Sequence, residues 1–123
     1  METQDPNLEV TRDLVASDKV IGTNVYDANG DSVGEVEKLV LGKKSGHVAY
    51  AVLSFGGFLG IGTDYYPVPW ETLRYDESVG GFRVAITEEQ VEGAPRYNRD
   101  DDYDWAEGGR TINDYYGVRP YAG

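Results

Sequence analysis

Apolar and polar positions alternate through the middle of the chain in short bursts, separated by glycine-rich turns, and that rhythm predicts strands. The clearest burst is residues 47–55. Val48, Tyr50 and Val52 share one face, and Ala49, Ala51, Leu53 and Phe55 share the other. Both faces are apolar, so one can fill an interior while the other needs a cover, because exposed apolar strands invite aggregation. The C-terminal tail and a second subunit are the candidate covers. A strand over residues 32–41 comes before it, entered through Asn29-Gly30, a turn pair in which both residues tolerate positive φ. Its apolar phase is broken, with Val36 and Val40 on one side and Leu39 and Leu41 on the other, which predicts a bulge or sharp bend. Residues 19–26 read as the first strand. Residues 65–68 read as the fourth, with Pro67 and Pro69 marking an edge or an irregular end. Trp70-Glu71-Thr72-Leu73 reads as one helical turn or bend. Arg74-Tyr75 and residues 81–86 read as a hairpin around residues 76–80.

The helical signals come late. Thr87-Glu88-Glu89-Gln90 has capping-box spacing, which predicts a short helix near 88–92, stopped by Gly93 and Pro95. Thr111-Ile112-Asn113-Asp114 also fits a capped start, with Gly117 as the stop and room for one or two turns. Gly108-Gly109 reads as a flexible joint. So short a helix is marginal alone, so Trp105, Tyr115, Tyr116 and Tyr121 are expected to pack it down. Three parts follow: a flexible segment 1–13, a domain 14–95, and a tail 96–123 that packs on the barrel or on a partner subunit.

Composition narrows the function classes. The 123 residues are 40% hydrophobic and hold 16 glycines, which suits one small β-rich globule. The net charge is −11, and acids outnumber bases in each of the three parts. Nucleic-acid binding rests on Lys and Arg neutralising phosphates, so no direct nucleic-acid partner is expected, and Lys43-Lys44 in a turn does not change that. The absence of cysteine excludes disulfides, thiol nucleophiles and Cys-ligated metals. Residues 1–13 lack the apolar run of a secretory signal, and no stretch approaches the roughly 20 apolar residues of a membrane span. A cytoplasmic protein is expected.

Candidate chemistry is sparse. His47 is the sole histidine and follows a turn, as an ordinary exposed strand residue would. Asp27, Asn29 and Asp31 begin a calcium-loop pattern, but Ser32 and Lys38 stand where Gly and Glu are required. The run Asp100-Asp101-Asp102 with Asp104 reads as solvated acid. The loop Gly56-Gly57-Phe58-Leu59-Gly60-Ile61-Gly62 lacks the Gly-Lys-Ser/Thr ending of a phosphate cradle. Its apolar residues read as a plug folded over the barrel end, or else as an exposed partner patch. Glu35 and Glu37 are two apart on one strand, a spacing that suits a solvent face as well as paired-carboxylate chemistry. No catalytic set assembles, and no metal or cofactor is expected.

Four elements, taken in order, carry a resemblance. They are Val20-Ile21-Gly22, Asp27-Ala28-Asn29-Gly30, Val33-Gly34-Glu35-Val36 and Tyr66-Pro67-Val68-Pro69-Trp70. Over residues 20–95 the chain resembles the PRC-barrel family, which includes the cytoplasmic domain of the photosynthetic reaction centre H subunit and the C-terminal domain of a bacterial ribosome maturation factor. The resemblance implies an all-β fold, a small PRC-type barrel of about five to six strands that docks onto other proteins. Trp70 is then a core or barrel-closing residue. In the first relative the domain caps a membrane complex, and in the second it belongs to a two-domain assembly factor. Neither a membrane anchor nor a second domain is expected here. The leading expectation is a non-enzymatic protein interaction or adaptor module working as a homodimer. Its contact patch is drawn from Phe58, Leu59, Ile61, Trp105, Tyr115 and Tyr116. A small-ligand-binding or enzymatic barrel is the alternative, and it requires a deep pocket with convergent polar groups. A ribosome-associated assembly factor is a third reading, disfavoured by the acidic charge.

Overall fold

The computed structural model describes residues 14–55, 64–98 and 103–119. Phe58, Leu59 and Ile61, the rest of their loop, the segment 1–13, Asp100-Asp101-Asp102 and Tyr121 lie outside the described residues. Among the described residues seven strands form one sheet: β1 (Asn24–Tyr26), β2 (Ser32–Leu41), β3 (Val48–Ser54), β4 (Asp64–Pro69), β5 (Leu73–Asp76), β6 (Gly81–Val84) and β7 (Tyr97–Asn98). Their order is β5-β6-β1-β2-β3-β4-β7. Neighbours are antiparallel except β1 and β6, which run parallel. The described residues also form the helices α1 (Ser17–Val20), α2 (Glu88–Glu92) and α3 (Trp105–Tyr116).

The all-β expectation holds, with one more strand than the five to six predicted. β7, drawn from the start of the tail, pairs Asp64 with Asn98 and Tyr65 with Tyr97. The second strand forms over the predicted residues. Its broken phase is resolved by register shifts between Val36 and Lys38 and between Val40 and Leu41. These shifts bend β2, and the sheet wraps around a core to which strands β1 to β6 all contribute, including Val25, Val36, Leu53, Val68, Leu73 and Val84. Pro67 and Pro69 fall on β4 beyond the two residues that β7 pairs, where a missing N–H breaks no ladder bond on that side. The helical turn at Trp70–Thr72 and the hairpin of β5 and β6 follow the sequence pattern. α2 carries the full capping box: Thr87 Oγ1 accepts from the Gln90 N–H, and Gln90 Oε1 accepts from the Thr87 N–H.

Three expectations need correction. Residues 19–26 are not one strand: α1 occupies Ser17–Val20 and β1 keeps only Asn24–Tyr26. The Thr23 hydroxyl donates to the Lys19 carbonyl at 2.7 Å and closes this turn, which drives Val20 into the core. Gly22, at φ 90°, then redirects the chain into β1. The tail helix begins at Trp105, capped by Asp104, and not at Thr111; it runs twelve residues rather than one or two turns. Gly108 and Gly109 therefore lie inside α3 and are no flexible joint. Each lies against a tyrosine side chain where its own would be. A Cβ on Gly109 would come within 2.8 Å of the Tyr50 hydroxyl, and one on Gly108 would strike the Tyr103 ring.

Candidate functional site

β3 was the strand with two apolar faces, and the structure gives each face its own neighbour. Ala51, Leu53 and Phe55 enter the main core. Tyr50 and Val52 are also buried, on the opposite face. Tyr50 is covered by α3, which packs across β4. The Tyr50 hydroxyl donates to Asn113 Oδ1 at 2.6 Å, and Asn113 Nδ2 donates to the Arg119 carbonyl at 2.9 Å. Ile112, one residue earlier, is fully buried. A buried amide satisfied on both ends fixes the rotation of the helix as well as its position, since any other setting strands polar groups. α3 is held at both ends: Asp104 Oδ1 accepts from the Ala106 and Glu107 N–H groups, and Gly117 at φ 67° ends the helix. The cover over this face of β3 is thus the chain's own tail.

Around the start of α3 the aromatic side chains gather. Trp105 packs on Tyr50 at 5.5 Å and on Tyr103 at 4.7 Å between ring centroids. Tyr103 stacks on Tyr97 at 4.5 Å, and Tyr97 meets Tyr65 edge-on at 5.4 Å. Lys38 Nζ lies 4.7 Å from the Tyr65 ring centroid. The five rings draw β3, β4, β7 and α3 together. Tyr50 is buried, while Tyr65, Tyr97, Tyr103 and Trp105 are only partly buried. Beside them Arg96 donates to the Tyr66 hydroxyl at 3.0 Å and pairs with Asp64 at 3.8 Å.

Of the residues expected in a contact patch, Trp105 belongs to this cluster. Tyr116 packs against the main core. Tyr115 is 39% exposed, although its hydroxyl donates to the Gln90 carbonyl and ties α3 to α2. Phe58, Leu59 and Ile61 lie outside the described residues. Sequence reading missed Tyr65, Tyr97 and Tyr103 as members of one surface, and Asn113 as the buried partner of Tyr50. The available signal was the density of tyrosine, ten in 123 residues, flanking the tail.

Those of the residues weighed for chemistry that are described do not converge. His47 is exposed at the mouth of β3. The bulge in β2 falls at Glu37, whose carboxylate accepts from the Ser54 hydroxyl at 2.7 Å, while Glu35 faces solvent. Asp27 accepts from the Asn29 and Asp31 N–H groups and shapes the turn they form. The space enclosed by the sheet is filled by side chains: Val25, Val36, Leu53, Phe55, Tyr66, Val68 and Val84 are all essentially inaccessible. Among the described residues no buried side-chain nitrogen or oxygen lacks a hydrogen bond. Surface hollows of about 600 Å³ and about 260 Å³ flank the β5–β6 hairpin. Trp70 meets Phe82 edge-on at 5.6 Å and packs against the core.

The model of the PRC-barrel domain family matches residues 12–91, most of the chain. The chain belongs to the PRC-barrel family. No curated protein matches it. The matched span covers β1 to β6 and most of α2, while β7, Tyr97, Tyr103 and α3 lie outside it. Among the described residues no helix is long and apolar enough to cross a membrane.

The tyrosines buried around α3 have a consequence at high pH. Burial raises the pKa of Tyr50, Tyr97, Tyr103 and Tyr116 above the usual value near 10, with neighbouring tyrosines adding to the effect for the last three. Below pH 10 these phenols are protonated whether the chain is folded or not. Above it the unfolded chain releases the protons while the folded chain holds them to higher pH, so stability falls as pH rises. Denaturation of this PRC-barrel chain followed from pH 8 to about 11 should show a loss setting in near pH 10. It should coincide with the appearance of tyrosinate absorbance. Titration of all ten tyrosines near pH 10 with the helix signal unchanged would mean that α3 is not held through these phenols.

Proposed function

We propose that this PRC-barrel chain is a cytoplasmic, non-enzymatic docking module that binds a protein partner through the aromatic surface where its tail joins the barrel. The observation carrying this reading is the cluster of Tyr65, Tyr97, Tyr103 and Trp105, ordered by mutual ring contacts yet still partly accessible. Tyr and Trp carry large contact area on few rotatable bonds and are enriched at binding hot spots. The net charge of −11 favours a partner with a basic surface. The filled interior supports docking over the small-ligand or enzymatic alternative, which asks for a deep pocket. Acidic charge likewise weighs against a ribosome-associated assembly factor. Self-association as a homodimer is part of the same reading. Since α3 covers Tyr50 on the outer face of β3, the dimer contact belongs elsewhere on the molecule.

The test is capture from native extract by immobilised wild-type chain and by a Tyr97→Ala, Tyr103→Ala variant. Loss of the captured protein by the variant, with affinity reduced about thirtyfold or more and the barrel still folded by circular dichroism, is the expected result. Equal capture by both, or none above an unrelated acidic control, would remove the aromatic surface as the docking site.

A further inference from the structure

The chain has no cysteine and one methionine, so it offers an oxidant almost no sulfur, while it holds ten tyrosines and two tryptophans. Oxidising equivalents therefore fall on its aromatic rings. Of the tyrosine pairs in ring contact among the described residues, Tyr65 with Tyr97 and Tyr115 with Tyr116 are edge-on, at interplanar angles of 70° and 83°. Tyr97 and Tyr103 are stacked instead, with 4.5 Å between centroids and 21° between planes. That difference decides radical chemistry. The unpaired electron of a phenoxyl radical occupies the π system, whose lobes stand perpendicular to the ring, and part of it resides on the Cε carbons beside the oxygen. Two such radicals overlap when their faces meet and hardly at all when edge-on. Neighbouring rings can pass oxidising equivalents to the stacked pair: Trp105 lies 4.7 Å from Tyr103 and 6.1 Å from Tyr97, and Tyr65 lies 5.4 Å from Tyr97. Tyr97 and Tyr103 are only partly buried, so water can take their phenolic protons.

We propose that Tyr97 and Tyr103 are a modification site, joined as dityrosine by a peroxidase-type one-electron oxidant with hydrogen peroxide as terminal acceptor. Each phenol gives up one electron and one proton. The two phenoxyl radicals combine through a new Cε–Cε bond, and the hydrogen on each joined carbon moves to its oxygen, which restores both phenols. Hydrogen peroxide takes up the two electrons and two protons and leaves as two water molecules. The link runs from β7, which pairs with β4, to the residue just before Asp104, the cap of α3. It therefore ties the tail to the barrel at the point where the cover over Tyr50 begins. Like a disulfide, it limits the freedom of the unfolded chain. Being a carbon–carbon bond, it is not reversed by thiols. This modification does not depend on the docking reading above.

Oxidation of the full chain at high dilution by a haem peroxidase and hydrogen peroxide tests this. Dityrosine fluorescence should appear in the monomer band of a denaturing gel, with the intact mass lowered by two hydrogens. Trypsin cuts after Arg96, Arg99 and Arg110, so the link should join peptide 97–99 to peptide 100–110. Tyr97→Phe and Tyr103→Phe each keep a ring in the stack but remove a phenol. Either should abolish the joined peptide while circular dichroism stays that of the wild type. Tyr115→Phe, which alters an edge-on pair, should leave the yield unchanged. The same oxidation in urea should scatter the links over other tyrosines. Links in the folded chain that map to another pair, or oxidation with no link inside the monomer, would overturn the proposal, and the wild-type map decides this even if a variant misfolds. Equal yields of the joined peptide from folded and urea-unfolded chain would also overturn it, since closeness in sequence and not the stack would then make the bond.

Discussion

Truncation after Pro95 is expected to lower the melting temperature of this PRC-barrel chain by roughly 10–20 °C and to make the remaining barrel prone to aggregate. The cut removes β7, the aromatic cluster and α3 together. Tyr50 loses its amide partner, and the outer face of β3 is left open along an apolar run. A milder variant isolates the cause. Ile112 is fully buried, and Ile112→Ala should cost about 2–4 kcal/mol in chemical denaturation while leaving the main core intact. The cut-off peptide should be unstructured alone. Twelve residues that include Gly108 and Gly109 cannot hold a helix in water without the surface they dock on. A truncated barrel as stable and soluble as the whole chain would mean that α3 contributes no cover.

Among the described glycines, Gly34→Ala should be the most damaging substitution. β2 and β3 approach so closely there that a Cβ on Gly34 would lie 1.9 Å from the Ser54 carbonyl oxygen and 2.9 Å from its carbon. The clash is with backbone, which no rotamer change relieves. Both strands must separate at the centre of the sheet, next to the buried Val33 and Phe55. A loss of about 3 kcal/mol or more is expected, enough to leave much of the chain unfolded at ambient temperature. Gly46→Ala is the control. Gly46 has positive φ, 79°, but nothing lies within 4 Å of its Cβ position, so only the conformational cost of about 1–2 kcal/mol applies. Equal effects of the two substitutions, measured by urea titration, would show that the close approach at Gly34 is not what the sheet depends on.

The strands, turns and caps were legible because each rests on neighbours in sequence. Asn29-Gly30 makes its turn with Gly30 at φ 88°, and Gly80 closes the β5–β6 hairpin at φ 66°. Thr87 and Gln90 satisfy one another three residues apart, and Gly117 stops α3 as its place in the sequence implied. The broken phase of β2 announced its bulges, though not that one would carry Glu37 to Ser54. The PRC-barrel family itself was readable from four short elements between Val20 and Trp70.

The candidate surface was legible only in part. Trp105 could be singled out as an aromatic needing a neighbour, but nothing local says that Tyr65, Tyr97 and Tyr103 share that neighbourhood. They are brought together by the pairing of β7 with β4, a contact between segments more than thirty residues apart. Asn113 looked like part of a helix start and proved to be the buried amide that sets the helix on Tyr50.

By itself the sequence determined an all-β PRC barrel, the positions of its turns, and the fact that β3 needed a cover on both faces. These depend on period, on backbone freedom at glycine and on capping groups within a few residues. Only the tertiary structure decided that the cover on the outer face is α3 of the same chain, and that Gly108-Gly109 is helix and not hinge. Local propensity marks a glycine pair as a break. Close packing on Tyr103 and Tyr50 makes the same pair the only residues small enough to let the helix seat, and that contact exists only once the chain has folded.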